Sequence, residues 1–254
     1  MATKKGRHSV PVNPDLLLNS KAQSASIQSG PSESGKAEVH PGVILDGRLC
    51  LFHQEHRWLA LSDLHFGYEI TRRLQGGLMP LWGMHTVRER LLALVRSYAP
   101  KRVILVGDIV DGRGSSDEAL RFFDKLEDFG PDLICIAGNH DRGEIRNKAE
   151  FVDSWREGEF FFHHGHLSPP PEGGDALIEI TGHHHPAISL HDGAGLRLKL
   201  PALVQEPKRE EGRERWILPA FSPWAGGGNF RRNARNPKPR IWACHPSRVF
   251  PWDS

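Results

Sequence analysis

Arg102-Val103-Ile104-Leu105-Val106-Gly107-Asp108-Ile109-Val110-Asp111 decides how the chain is read. Four consecutive apolar residues, three of them β-branched, closed by a glycine, form the pattern of a strand buried on both faces. The strand ends by delivering two carboxylates. The same grammar occurs four more times. Trp58 to Leu61 leads to Asp63-Leu64-His65, and Leu133 to Ala137 leads to Gly138-Asn139-His140-Asp141. Phe160 to His163 leads to His164-Gly165-His166, and Ala176 to Thr181 leads to Gly182-His183-His184-His185-Pro186. Helical spacing fills the early gaps. Thr86 to Tyr98 places Val87, Leu91, Leu92, Leu94 and Val95 three and four apart, with Thr86 as N-cap. Ser116 to Phe129 is a second predicted helix, capped by Ser116 and stopped by Gly130-Pro131. Strand and helix alternate first and strands dominate later, which predicts an α/β sandwich.

Working outward, Val43 to Leu45 and Leu49 to Phe52 read as strands joined by a turn at Asp46-Gly47. Ala187 to Leu190, Leu196 to Leu200, Trp216 to Leu218 and Arg240 to Cys244 continue the strand pattern. Residues 1–41 contain seven serines up to His40, no aromatic residue, and one apolar cluster, Leu16 to Leu18. A segment so poor in apolar surface is expected to be a disordered tail, leaving 42–254 as the domain. The loop from Gly76 to Met84 is expected to pack on the body, with a substrate-facing lid as its other reading.

The motif residues share one chemistry. Asp, His and Asn without Cys is a ligand set for hard to borderline divalent metals. Asp63 and His65, two apart at a strand end and followed by Phe66-Gly67, can turn onto one ion. Asp108 has two oxygens, so one carboxylate can join two ions at the ~3.5–4 Å of two-metal hydrolases. Asn139 offers a neutral oxygen; His164, His183 and His185 offer imidazoles, the last two directed to different ions. His163, His166 and His184 flank these groups as hydrogen-bond donors. His53, His56, His191 and His245 read as solvated surface residues.

The ordered set DxH, GDxxD, GNHD, HGH and GHxHP resembles the calcineurin-like metallophosphoesterase superfamily. The resemblance implies a four-layer α-β-β-α sandwich of two mixed sheets, with a dimetal site at the C-terminal ends of the strands. It assigns Asp63, His65, Asp108 and His185 to a first metal, and Asp108, Asn139, His164 and His183 to a second. His140 matches the catalytic histidine that meets the scissile phosphate and protonates the leaving group, and Asp111 the carboxylate that orients it. His184 stands where Thr or Ser is commoner, which changes no ligand. With Asp63-Leu64-His65-Phe66-Gly67, Leu218-Pro219-Ala220-Phe221 and Gly226-Gly227-Gly228, the chain is similar to the ligase-associated DNA damage response endonuclease branch. That similarity implies a manganese-dependent phosphodiesterase, with DNA and repair proteins such as a ligase or helicase as partners. Ligand types alone leave iron, zinc, nickel and magnesium open.

Composition narrows the classes. The 254 residues carry a formal charge of +2, so the whole molecule is no strong polyanion binder. Cys50, Cys135 and Cys244 are isolated thiols, which argues against a disulfide scaffold and for a reducing compartment. No apolar run approaches the ~20 residues of a membrane span, and the basic N-terminus lacks an apolar h-region; a cytoplasmic location is expected. Arg215 to Trp252 holds seven basic residues and no acidic one. Within it Arg231, Arg232 and Arg235 are the candidates for holding nucleic-acid phosphates. The leading expectation is divalent-metal-dependent phosphodiester hydrolysis of nucleic acid. Two others keep the same residues: hydrolysis of a small phosphodiester, nucleotide or pyrophosphate, and a metal-stabilised interaction module without catalysis.

Overall fold

The computed structural model describes residues 35–112, 116–168, 174–208, 212–229 and 238–252. A six-stranded sheet contains, in spatial order, β1 (Lys36–His40), β2 (Val43–Asp46), β3 (Cys50–His53), β4 (Trp58–Leu61), β5 (Arg102–Val106) and β6 (Asp132–Ile136). The first four form an antiparallel meander; β4, β5 and β6 are parallel. Parallel neighbours need crossovers. Here α1 (Tyr68–Leu74) and α2 (Gly83–Tyr98) join β4 to β5, and α3 (Ser116–Glu127) lies between β5 and β6. A short α4 (Glu144–Lys148) follows β6.

The second sheet contains β7 (Ser154–Glu157), β8 (Phe160–His163), β9 (Ile178–Thr181), β10 (Pro186–His191), β11 (Arg197–Glu206), β12 (Glu214–Ile217), β13 (Gly228–Asn229), β14 (Arg240–His245) and β15 (Arg248–Pro251). Its spatial order is β13-β10-β11-β12-β9-β8-β7, with β14 also paired to β11 and carrying β15. β8, β9 and β12 are mutually parallel. Both sheets are therefore mixed, as expected, and they share one core. Trp58 of the first sheet meets Phe160 and Phe162 of the second edge-on, at ring-centroid distances of 5.2 and 5.3 Å. All three rings are buried, as is Trp216, and each such side chain stabilises the fold by roughly 1.5–3 kcal/mol.

Side chains alternate across the second sheet. Leu203, Trp216 and Cys244 enter the shared core, while Ala202, Val204, Ile217 and Ala243 form a smaller cluster on the other face, packed by Phe250 and Trp252. Among the described residues no helix follows β7. Hairpins link β10 to β11 and β14 to β15, and hairpins need no crossover helix. No helix among the described residues is long and apolar enough to cross a membrane.

Several expectations change. The ordered domain begins by Lys36, because β1 pairs with β2 across residues 36–40; the boundary at Gly42 is corrected. Residues 1–34 lie outside the described residues. α2 starts at Gly83, so Thr86 is inside the helix, its hydroxyl donating to the Trp82 carbonyl at 3.1 Å. His53 is buried rather than solvated, its ring 5.3 Å from Trp58 and 5.4 Å from Phe160. The Gly76 to Met84 loop is not packed down throughout: Leu78 is 99% exposed, although Trp82 rests on Trp224 at 4.4 Å.

Candidate metal centre

The parallel strands β4 and β5 end at the same edge as β6, and β8 and β9 of the facing sheet end there too. The residues just past those ends are the five motifs. Ligands at the crevice outside the carboxyl ends of parallel strands are the general rule for such sheets. The chain turns sharply at each end: Asp63, His65, Asp108, His183 and His185 all have φ between 44° and 67°, a left-handed conformation that Asp and His adopt more readily than most residues.

Cross-connections hold the turns. The amides of Asp63 and His65 donate to the carbonyls of Gly107 and Asp108, at 3.1 and 2.9 Å. The Ser222 amide donates to the Asp63 carbonyl at 3.0 Å, and the His183 amide donates to the Asp63 carboxylate at 3.0 Å. The buried Asp141 carboxylate accepts three amides, from Ile109, Val110 and Gly138, at 2.8–2.9 Å. It ties the second motif to the third. A Cβ on Gly138 would collide with the Asp108 amide and carboxylate, and one on Gly107 with the His164 ring. The glycines of GD and GN are thus explained by close approach.

Two groups of side chains converge. In the first, His185 Nε2 lies 3.1 Å from Asp63 Oδ1 and 3.4 Å from His65 Nε2, and His65 Nε2 lies 3.9 Å from Asp108 Oδ2. In the second, His164 Nε2 lies 3.3 Å from the same Asp108 oxygen and 3.2 Å from Asn139 Oδ1. His183 completes this group: Asp108, His164 and His183 offer ligand atoms within 4.8 Å of one another. Nitrogens and oxygens about 3.0–3.4 Å apart are spaced as neighbours around an ion bound at ~2.1 Å. Two imidazole nitrogens facing each other, as in His65 and His185, also make better ligands than hydrogen-bond partners. The donor set therefore fits divalent metal.

His140 stands at the rim, its side chain 45% exposed, with Nδ1 3.6 Å from Asp111 Oδ1. The other Asp111 oxygen lies 3.5 Å from His65 Nδ1. Asp111 raises the His140 pKa above the ordinary imidazole value, outweighing burial. Burial pushes the Asp111 carboxyl up, but hydrogen bonds from His140 and His65 hold it well below the usual range. Asp108 is likewise pushed up by burial, yet the His164 hydrogen bond and charge, with the His140 amide, bring it down to about 2. Both carboxylates are ionised at neutral pH.

All seven expected ligands, with His140 and Asp111, are thus gathered in one place. Arg231, Arg232 and Arg235 lie outside the described residues. Motif reading did not single out Asp141, although its position beside His140 was a signal. It also missed two pairs behind the ligands: His163 Nε2 with Glu179 at 2.8 Å, and Arg215 with His184 Nε2 at 3.0 Å. Glu179 and Arg215 sit on β9 and β12, and nothing local in the sequence marks them.

Similarity to known proteins agrees with this geometry. The crystal structure of the nuclease MPE from Pseudomonas putida superimposes with a TM-score of 0.62 at 23% identity, covering 86% of this chain and 100% of that one. Yfce, a phosphoesterase from E. coli, gives 0.42 at 16% identity, covering 76% and 95%. The first likeness shows the fold. No curated protein matches the chain. Residues 56–242 match the family model described as calcineurin-like phosphoesterase, a span that contains every motif above. The chain belongs to the calcineurin-like phosphoesterase family.

Proposed function

We propose that the protein is a dinuclear-metal phosphodiesterase that hydrolyses nucleic acid, with manganese the first ion to test. The observation that supports two ions is Asp108 Oδ2, a single carboxylate oxygen 3.9 Å from His65 Nε2 and 3.3 Å from His164 Nε2. In this reading Asp63, His65, Asp108 and His185 hold one ion, and Asp108, Asn139, His164 and His183 hold the other. Divalent ions in such a site lower the pKa of water and neutralise phosphoryl oxygens. Water adds to phosphorus and releases a proton to solvent, the bond to the leaving oxygen breaks, and His140 gives that oxygen a proton. Asp111 faces His140 Nδ1, which leaves Nε2 to do this. Nucleic acid is favoured as substrate by the acid-free basic stretch from Arg215 to Trp252 and by the likeness to a protein described as a nuclease. DNA-repair proteins such as a ligase or helicase are the partners this reading implies.

The test offers the manganese-loaded protein bis-p-nitrophenyl phosphate, single- and double-stranded DNA, and cyclic nucleotides. Wild type should turn over the diester and DNA. His140→Ala should lose about 10²–10⁴-fold in rate, and Asp108→Ala should lose both activity and metal. Equal activity in all three proteins would sink the catalytic reading. Turnover of small diesters without any of DNA would replace nuclease by small-molecule phosphodiesterase.

A further inference from the structure

A cleft of about 1020 Å³ opens from the second group of candidate ligands. Asn139 and the buried His164 line it together with Phe151 and the exposed Arg142, Arg146 and His166. Its volume is at the upper limit of the ~300–1,000 Å³ typical of small-ligand pockets, more room than one small diester needs. Arg142 and Arg146 are exposed, and among the described residues neither guanidinium is in an ion pair. Arg48, Arg102 and Arg156, by contrast, each have a carboxylate partner. Arg142 is steadied by donating through Nε to the Asn139 carbonyl at 2.6 Å, and the Arg146 guanidinium lies 5.3 Å from the Phe151 ring centroid. Of the two carboxylates in the walls, Asp141 is occupied by its three amides, which leaves Asp153 as the exposed one.

Two arginines held in place without counter-ions, in a cleft that reaches the metal centre, match a row of phosphates. Arginine presents a planar donor fork suited to phosphate oxygens. Resting on the nuclease reading above, we propose that this cleft carries the nucleic-acid strand beside the scissile bond. Arg142 and Arg146 each take a non-reacting phosphate. Phe151 and the exposed Leu167 supply an apolar wall for a sugar or base. The cleft would then set the preference for a polymer over a small diester, which has no phosphate to place there.

Arg146→Ala tests this, because Arg146 contacts no candidate ligand. Steady-state kinetics with manganese would compare bis-p-nitrophenyl phosphate with a single-stranded DNA oligonucleotide across a salt series. For the oligonucleotide, kcat/KM should fall about tenfold, chiefly through KM, the loss expected for one charged hydrogen-bonding contact. The slope of log KM against log salt should flatten by about 0.7 for the contact removed. Turnover of the small diester should stay within about twofold. Adding Arg142→Ala should lower the oligonucleotide value and flatten the slope again. Unchanged oligonucleotide kinetics, or an equal fall on both substrates, would overturn the cleft assignment while the wild-type enzyme still cleaves DNA. Failure of the wild type to cleave any oligonucleotide would instead overturn the nuclease reading, and the assignment with it.

Discussion

Five of the seven candidate ligands sit in left-handed backbone conformations. Each such residue costs on the order of 1–3 kcal/mol when nothing compensates it. The His183 amide on Asp63 and the Gly107 and Asp108 carbonyls on the first motif offset part of this. The remainder is held against the mutual repulsion of Asp63 and Asp108 and the desolvation of both. Metal bound to the folded state alone relieves that cost by mass action. At a hundred times Kd it adds about 2.7 kcal/mol, which for a domain of this size corresponds to a Tm rise of roughly 5–10 °C. Scanning calorimetry of the protein with manganese and after chelation should show that difference; an unchanged Tm would mean these residues bind no ion. Which side chains gather was legible in the sequence, because each candidate ligand stands one to four residues beyond a predicted strand. Their left-handed turns were not. Asp and His adopt φ near 50° more readily than most residues, but too seldom to mark these positions in advance.

The elements read least well are those with no apolar stripe. α1 buries only Glu69, so helical periodicity has nothing to register; β1 buries only Val39, and β7 has no buried residue. β4, β5 and β8, whose apolar runs are buried almost throughout, stand where the sequence places them. Glu69 explains why α1 is there at all. One oxygen accepts the Met84 amide at the start of α2 at 2.7 Å, and the other accepts the Trp224 indole N–H at 3.0 Å. That indole also packs on Trp82, and a Cβ on Gly83 would collide with it. The carboxylate therefore latches two helices to the loop that follows Ser222, whose amide supports Asp63. Glu69→Gln keeps the shape but offers an NH₂ where two donors need acceptors. The mismatch should cost roughly 1–3 kcal/mol, or about 2–4 °C of Tm per kcal/mol, read from thermal melts. Equal stability would show that the latch carries no energy.

Across the whole molecule, two sheets packed on one aromatic core leave the motif edge free for chemistry and place structural polar groups elsewhere. Cys50, Cys135 and Cys244 are buried free thiols, in keeping with their apolar neighbours in sequence. The polar clasp around Asp46 was not legible, because its partners lie on different elements. Asp46 ends β2 and accepts hydrogen bonds from the Arg48 amide and guanidinium and, at 2.8 Å, from the hydroxyl of Tyr98 at the end of α2. It fastens α2 to the first sheet. Burial pushes the Asp46 carboxyl up, but the Arg48 and Tyr98 bonds outweigh it and bring the pKa below the ordinary value. The folded state thus releases this proton more readily than the unfolded chain, whose Asp titrates near ~3.9. The clasp's charge-dependent stabilisation is complete above that value and is lost as pH falls through the lower folded pKa. Asp46→Asn should be less stable than wild type by about 1–3 kcal/mol at neutral pH. The gap should narrow as urea denaturation is repeated at successively lower pH below ~4. Both proteins carry the same metal-centre carboxylates, so those titrations cancel in the difference. A gap that stays constant down to the acid limit would show that the Asp46 charge contributes nothing, and that the clasp acts through shape alone.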